Sequence, residues 1–216
     1  AKPMSSIDEL RSVRLEKLQK LKDAGMNPYP ATIARDYSLK KIKDSFDELS
    51  TSGKSISVVG RIMALRGQGA ILFAVLFDGT DRFQAVFKKD EIDEKLFALF
   101  TDAVDMGDFI SVTGNLFVTQ RGEQSILVKD WTIATKSLLP IPSEHFGIEN
   151  DDERYRKRYL DILMNPELQN IFRIKSKFWE STRNFLKKEG FLEVETPTLE
   201  ITTGGAEARP FMTHHN

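Results

Sequence analysis

The sequence contains no cysteine among its 216 residues, and it has only two tryptophans and three histidines. Without cysteine, neither a disulfide framework nor a thiolate-ligated metal site can form, and the chain fits a reducing compartment. Its formal net charge is -1, because 31 Lys and Arg residues nearly balance 32 Asp and Glu residues. A uniformly basic nucleic-acid binder is therefore excluded, although a local basic face is not, since patches matter more than totals.

Signals of several common protein classes are also missing. No apolar run is long enough to cross a membrane. The sequence has no Walker loop and no GxGxxG motif, and no Ser/His/Asp set or pair of acids indicates hydrolytic catalysis. Adjacent His214 and His215 would point to opposite sides of a strand, and no other ligand cluster accompanies them. We therefore expect no metal site.

The first part of the chain is predicted to be helical. A capping-box pattern at Ser6 and Glu9 begins a helix that ends at Gly25. The predicted apolar stripe of this helix comprises Ile7, Leu10, Val13, Leu15, Leu18 and Leu21. A second, short amphipathic helix is predicted over residues 40–49.

Five β-rich runs follow, separated by turn residues: SISVVGRIMALRG, AILFAVLFDG, RFQAVFKKD, DFISVTGNLFVTQRG and QSILVKDWTIATK. Between the third and fourth runs, a helix is predicted with Ile92, Leu96, Leu99, Phe100 and Val104 on one side. Three strands, a helix and two strands is the element order of the OB-fold, a small Greek-key barrel that commonly binds oligonucleotides. An unrelated small β-barrel stays open as an alternative.

The predicted strands carry residue types that suit contact with single-stranded nucleic acid. The second and third strands present Phe73, Phe77, Phe83, Gln84 and Phe87. An aromatic on the open face can stack a base, and a glutamine offers both a donor and an acceptor to a base edge. Glu123 in the turn between strands four and five could accept from a base, while Arg61 and Arg66 on the first strand could hold phosphate. A strand Phe or a turn Glu taken alone is more often structural, but together they predict a site.

A change of composition marks the end of the barrel. The stretch LLPIPSEHFGIENDD has two prolines, a glycine and terminal acids, which are typical of a linker between domains. The run DDERYRKRYLDILMN is predicted to be helical, and a longer helix is predicted from Pro166 to a stop at Gly190. A predicted strand, FLEVETP, and a glycine loop, TTGGAEARPF, follow.

From about residue 5 to the end, the chain resembles the N-terminal part of class II lysyl-tRNA synthetases. GFLEVETPTL is similar to the first class II motif, which in that family is a helix and strand at the homodimer interface. The segments that flank this motif in the lysyl enzymes are similar to ERYRKRYLDIL and GGAEARPFMTHHN. Their anticodon-binding domain is similar to VVGRIMALR and the helix-interrupted barrel. The resemblance implies an α+β, mainly β fold, in which an N-terminal helix and a five-stranded OB-fold barrel precede the opening helices and strand of a class II catalytic domain.

The resemblance also implies roles for individual residues in the barrel. Phe73 matches the aromatic that stacks on an anticodon base, Gln84 the residue that reads the central uridine, and Glu123 the acid that helps to read the same region. Arg61 is a weaker candidate for RNA contact.

Two further sets of residues belong to the C-terminal part. The family's lysine pocket uses backbone of the GGA loop, which here comprises Gly204, Gly205 and Ala206. The dimer-interface motif corresponds here to Phe191, Val194 and Pro197. We also expect the FLEVETP segment to be poorly ordered or packed differently, because most of the catalytic sheet that supports it in the family is not present in this chain.

The resemblance divides the chain into four parts. Residues 1–54 are expected to form an N-terminal helical extension, residues 55–142 the OB-fold anticodon-binding domain, residues 143–150 a linker, and residues 151–216 the truncated start of the catalytic domain. The implied parent enzyme is a cytoplasmic homodimer, with no membrane association, that activates lysine with ATP and magnesium and transfers it to tRNA(Lys). The family's ATP-binding and magnesium-binding residues lie later in its fold. We therefore expect this chain to bind the tRNA anticodon arm but to hold no catalytic residue, no cofactor and no activity alone.

Three alternatives stay open. Aspartyl and asparaginyl enzymes share the barrel, and aspartyl enzymes share a RYLDL element, although GGAEARPF followed by THHN favours lysine. Two positions depart from many lysyl enzymes. Those enzymes have proline or another residue where this chain has Thr203, and alanine where it has Glu207. A free-standing OB module that binds single-stranded RNA would not explain the helix and strand after the barrel. A dimerisation module with an inert barrel would show no salt-dependent RNA binding.

Overall fold

The computed structural model describes residues 7–142, 148, 150–197, 211 and 213–214. The chain divides into two compact units, Ala1–Ser143 and Glu144–Asn216. The first unit begins with α1 (Ile7–Asp23), α2 (Leu39–Asp44) and α3 (Phe46–Thr51). The single helix predicted over residues 40–49 is therefore two short helices, because Ser45 between them leaves the helical region with φ -122° and ψ 28°. Within the described ranges, no helix combines the length and apolarity that crossing a bilayer needs.

Five strands among the described residues of the first unit close into a barrel. They are β1 (Ile56–Gln68), β2 (Ile71–Phe77), β3 (Arg82–Lys88), β4 (Phe109–Val118) and β5 (Gln124–Thr135), and α4 (Glu94–Ala103) lies between β3 and β4. Around the barrel the order is β1-β2-β3-β5-β4, with β1 paired to both β2 and β4. All pairs are antiparallel except β3 with β5. The five strands and the helix after the third have the OB-fold order predicted from the sequence.

The barrel core is apolar and is built partly by α4. Phe100 of α4 stacks on Phe87 with ring centroids 3.9 Å apart and meets Trp131 edge-on at 5.3 Å. The Trp131 indole Nε1 donates to the carbonyl oxygen of Leu96 at 3.0 Å, so its polar atom is satisfied. The predicted apolar side of this helix omitted Phe97, which is buried in the same cluster.

The orientation of α1 differs from the prediction. Four residues of the predicted apolar stripe are exposed: Ile7, Leu10, Val13 and Leu15. The buried residues of the helix are Arg14 and Leu21. The Arg14 guanidinium donates at 2.9 to 3.1 Å to three carbonyl oxygens, those of Met106, Ser137 and Leu139. Leu21 and half-buried Leu18 belong to the predicted stripe, so the apolar spacing is confirmed only for the second half of α1, and the hydrogen bonds of Arg14 hold the same side of the helix to distant parts of the chain.

A buried ion network continues this contact. The side chain of Lys136 is fully buried, and its Nζ donates to Asp105 Oδ2 at 2.7 Å, to Asp108 Oδ2 at 2.8 Å and to the Ala103 carbonyl oxygen at 2.8 Å. Lys17 of α1 donates to the other oxygen of Asp105. Burial raises the pKa of Asp108 although Lys136 opposes the shift. Burial acts on Asp105 in the same direction, but hydrogen bonds from Lys136 and Lys17 outweigh it and lower the pKa.

The second unit contains three helices among its described residues: α5 (Asp151–Arg156), α6 (Arg158–Met164) and α7 (Pro166–Lys188). The single helix predicted for the first part of this unit is wrong, because Lys157 leaves the helical region with φ -111° and ψ 47°. Asp161 of α6 is buried and accepts hydrogen bonds from Arg154 of α5 and from Arg158 of its own helix, and those from Arg154 join the two helices.

Residues 191–197 take no regular secondary structure, so the strand predicted there is not formed. A strand satisfies its backbone groups by pairing, and no strand among the described residues of this unit is available as a partner. Instead, Glu193 accepts a hydrogen bond from Arg183 of α7 at 2.7 Å. All seven residues are exposed, and the different packing expected for the FLEVETP segment stays a prediction.

The N-terminus of α7 provides a test of local stability. The side chain of Asn165 accepts from the backbone N–H groups of Glu167 at 3.1 Å and Leu168 at 3.2 Å. We expect Asn165→Ala to destabilise this unit by about 1 kcal/mol, because two N–H groups lose their acceptor, and Asn165→Asp to retain most of the stability. Urea unfolding followed by circular dichroism measures both. Ser45→Ala is the control, since the Ser45 side chain makes no cap bond to α3. Equal losses for the two alanine variants would contradict the assignment.

Candidate nucleic-acid interface

A concavity of about 580 Å³ lies between the outer face of β2 and β3 and the turn that joins β4 to β5. Phe73, Gln84 and Glu123 line it, so three of the four residues proposed for RNA contact meet at one place. Arg66, which the sequence also suggested as a phosphate contact, lines the same concavity.

Strand pairing explains why these residues converge. Ala74 and Leu76 are fully buried in the barrel, so the alternation along β2 places Phe73 on the opposite, outer face. Arg66 of β1 lies directly across from Phe73, which makes them neighbours on that face. Phe73 pairs with Val86 of β3. Gln84 lies two residues before Val86, so it is a diagonal neighbour of Phe73 on the same face.

Gln84 forms part of the floor of the concavity. The residue is 5% exposed, and its Nε2 donates to the hydroxyl oxygen of Ser125 at 2.9 Å. Ser125 is its partner in the parallel pairing of β3 with β5. One N–H and the carbonyl oxygen of the Gln84 carboxamide are left for a ligand.

A tight turn holds Glu123 at the edge of the concavity. The backbone N–H of Thr119 donates to the Glu123 carbonyl oxygen at 3.0 Å, and the N–H of Glu123 donates to Thr119 Oγ1 at 3.0 Å. Gly122 has φ +81°, a left-handed conformation that glycine adopts without steric cost. The turn leaves the Glu123 side chain exposed.

Positive charge outweighs negative charge around the concavity. Arg66, Lys88 and Arg121 line it together with the single carboxylate of Glu123. This is the local basic face that the near-zero net charge of the whole chain left possible. Such a face attracts a phosphate backbone.

Three further residues of the concavity were not predicted from the sequence: Phe117, Lys88 and Arg121. Phe117 lies opposite Ser125 in the pairing of β4 with β5, and so it adds a second aromatic to the concavity. The alternation in β4, where Leu116 is buried and Phe117 is partly exposed, could have put Phe117 on the outer face. Only the closure of the barrel brings that face next to β3.

Arg61 lies elsewhere on β1. Its guanidinium carbon is 4.3 Å from the centroid of the Phe109 ring, and it donates to the Gly107 carbonyl oxygen at 3.0 Å. Burial lowers the pKa of Arg61, although the charge of Asp108 opposes the shift. Arg61 does not line the concavity. Its contact with RNA stays a prediction that this geometry does not support.

The remaining predicted residues belong to the second unit. Phe191 and Val194 are 65% and 66% exposed, and Pro197 is exposed as well. Several apolar side chains of α7 are also exposed: Ile171, Ile174, Phe178, Trp179 and Phe185. Gly204, Gly205 and Ala206, predicted for the edge of a lysine pocket, lie outside the described residues.

Comparison with known families agrees with the architecture of both parts of the chain. Residues 56–134 match the family described as an OB-fold nucleic acid binding domain, and residues 150–216 match the family described as tRNA synthetases class II (D, K and N). A barrel with a basic, aromatic-lined concavity, followed by a segment that matches this family, places the chain in the class II aminoacyl-tRNA synthetase family.

Curated relatives define the group more narrowly. The chain is 42% identical over 211 residues to the lysine--tRNA ligase of Syntrophomonas wolfei, an alignment that covers 98% of this chain and 42% of that protein. It is 40% identical over 215 residues to the lysine--tRNA ligase of Halalkalibacterium halodurans, covering 97% and 43% of the two chains. The chain belongs to the lysyl-tRNA synthetase family, as the resemblance predicted. It spans less than half the length of each of these two relatives.

Proposed function

We propose that the barrel binds the anticodon arm of tRNA(Lys) and that the concavity holds the central base of a UUU anticodon. The observation that carries this proposal is the convergence of Phe73, Gln84 and Glu123 on one concavity with three cations. An aromatic face stacks a base of any sequence, while hydrogen bonds to the base edge supply the specificity.

Each side chain has a role that its chemistry supports. The ring of Phe73 stacks on the base, and the carboxamide of Gln84 bonds to the Watson–Crick edge. The carboxylate of Glu123 accepts from a base N–H. Arg66 and Arg121 neutralise phosphates, which positions the strand without reading its sequence.

The whole protein is proposed to be a cytoplasmic, homodimeric lysine--tRNA ligase that activates lysine with ATP and transfers it to the tRNA. Two relatives that are lysine--tRNA ligases, and the match of residues 150–216 to class II synthetases, support this proposal. The exposed side chains of Phe191 and Val194 suit a contact with a second copy. In the described part of the chain, no three His, Asp or Glu residues lie together in a way that could hold a metal ion. The described residues therefore do not provide a magnesium site.

Binding of RNA hairpins tests the anticodon proposal. We expect the chain to bind a hairpin with UUU in its loop more tightly than the same hairpin with AAA, measured by fluorescence anisotropy. Gln84→Ala should weaken binding to the UUU hairpin roughly tenfold, which corresponds to the loss of about one hydrogen bond. Gln124→Ala is the matched control, since this neighbouring glutamine does not line the concavity. Equal affinity for the two hairpins would contradict the proposal.

The salt dependence of binding tests the role of the basic face. We expect Arg121→Gln to lower the slope of log affinity against log salt by about 0.7, because one phosphate contact to a single strand is lost. Lys22→Gln is the control. It also removes one positive charge, but Lys22 lies on α1 and does not line the concavity, so the slope should stay unchanged. A slope near zero for the unaltered chain would instead favour the alternative of a dimerisation module with an inert barrel.

A further inference from the structure

We infer that Ser125 fixes the direction of the Gln84 carboxamide and thereby makes the concavity select uridine over cytidine. The inference rests on the proposed function and names a positioning residue for it. Ser125 is fully buried, so it acts on RNA through Gln84 rather than by contact.

A chain of hydrogen bonds sets the direction. Ser125 Oγ lies 3.2 Å from the Glu123 carbonyl oxygen and donates to it. A carbonyl oxygen can only accept, and a serine hydroxyl has a single proton to give. With that proton committed to Glu123, Ser125 Oγ can only accept from Gln84. The NH₂ group of Gln84, and not its oxygen, therefore faces Ser125, at 2.9 Å.

The surroundings oppose a half-turn of the carboxamide. Ser125 is fully buried, so water cannot replace a hydrogen bond that is lost on its side of Gln84. A half-turn would place Gln84 Oε1 against Ser125 Oγ. The hydroxyl would then either face a second acceptor or turn away from Glu123 and lose the hydrogen bond to its carbonyl oxygen. The positions of Oε1 and of the second N–H are therefore fixed relative to Phe73, the proposed stacking platform.

A fixed carboxamide distinguishes the two pyrimidines. Uridine presents a donor at N3 and an acceptor at O4, whereas cytidine presents an acceptor at N3 and a donor at N4. The same base position therefore requires opposite orientations of the carboxamide for the two bases. A glutamine that is free to turn would bond to either. Ser125 holds Gln84 in one orientation, and the proposed function assigns that orientation to uridine. At the same base position, cytidine would then meet donor with donor and acceptor with acceptor.

The test compares two RNA hairpins that differ only by U or C at the central loop position. The full chain should prefer the U hairpin, and Ser125→Ala should reduce the ratio of the two affinities roughly tenfold, mainly by tighter binding of the C hairpin. Ser125→Cys keeps nearly the same volume but has a weak hydrogen-bonding group, and it should lose the preference similarly. If one variant does not fold, the other still provides the measurement.

A double-mutant cycle separates positioning from a merely structural role. In the Gln84→Ala background, Ser125→Ala should change the U-to-C ratio no further, because the side chain through which Ser125 acts is gone. Ser111→Ala is the matched control. Ser111 is a buried serine of β4 that donates to the Ala34 carbonyl oxygen, and its loss should lower the melting temperature without changing the ratio.

The outcomes distinguish this inference from the proposed function. If Gln84→Ala abolishes the U preference while Ser125→Ala and Ser125→Cys retain it, the inference is overturned and the anticodon proposal stands. If the unaltered chain binds the U and C hairpins equally well, the inference is likewise overturned. If it binds neither hairpin, the anticodon proposal itself fails.

Discussion

Replacing Lys136 by methionine is expected to lower the free energy of unfolding of the barrel by about 3–5 kcal/mol, the usual effect of removing one partner of a buried ion pair. Lys136 Nζ lies within 2.8 Å of oxygen atoms of Asp105, Asp108 and Ala103. Asp108 is fully buried, and burial already raises its pKa. Without the lysine, its charge would remain in the interior without its ion-pair partner, or it would have to bind a proton.

Urea unfolding followed by the fluorescence of buried Trp131 measures this effect. Lys20→Met is the matched control, because Lys20 is an exposed lysine that lies 3.5 Å from Asp102, and such surface pairs contribute only about 0–1 kcal/mol. Adding Asp108→Asn to Lys136→Met should recover part of the loss, since the stranded charge is removed. Similar losses for Lys136→Met and Lys20→Met would show that the buried network does not stabilise the barrel.

Replacing Phe73 by alanine is expected to weaken binding of the UUU hairpin by about 1–3 kcal/mol, or roughly 5-fold to 150-fold. The ring lies on the outer face of β2 and is only partly buried. Its removal therefore takes away a stacking surface while leaving the inward-facing Ala74 and Leu76 in place. The barrel should remain folded, and the loss should appear in affinity.

Phe77→Ala is the control for this prediction. Phe77 lies on the same strand and, by the alternation of side chains, on the same face, but it does not line the concavity. Fluorescence anisotropy should show a large loss of affinity for Phe73→Ala and little for Phe77→Ala, with similar thermal unfolding for both. If the two variants lose affinity equally, Phe73 has no special place in RNA binding.

Much of the barrel was predictable from local pattern. The alternation along β2 and β3 and the turns between the strands are encoded in neighbouring residues, so the five strands and the helix after β3 follow from the sequence. The resemblance to lysyl-tRNA synthetases was likewise carried by contiguous motifs, and the relatives confirm it. The same resemblance implied roles for Phe73, Gln84 and Glu123 without any knowledge of their proximity in space.

The errors occurred where distant parts of the chain decide the outcome. Apolar spacing predicted the burial of Leu21 in α1 but missed Arg14, which is buried because it bonds to carbonyl oxygens 92 to 125 residues away. The predicted helix over residues 151–165 divides at Lys157, and residues 191–197 form no strand without a partner to pair with. Nothing in β1 itself indicated that Arg61 would pack on Phe109.

The sequence by itself determined the secondary structure of the barrel, the family and three residues of the candidate site, since each depends on residues close together in the chain. Only the tertiary structure decided that Phe117 joins the concavity, that Lys136 is shared by two buried carboxylates, and that Ser125 accepts from Gln84. These contacts depend on the parallel pairing of β3 with β5 and on the closure of the barrel. Hydrogen-bond direction and charge burial are set by atoms that meet across that closure, and no local periodicity encodes them.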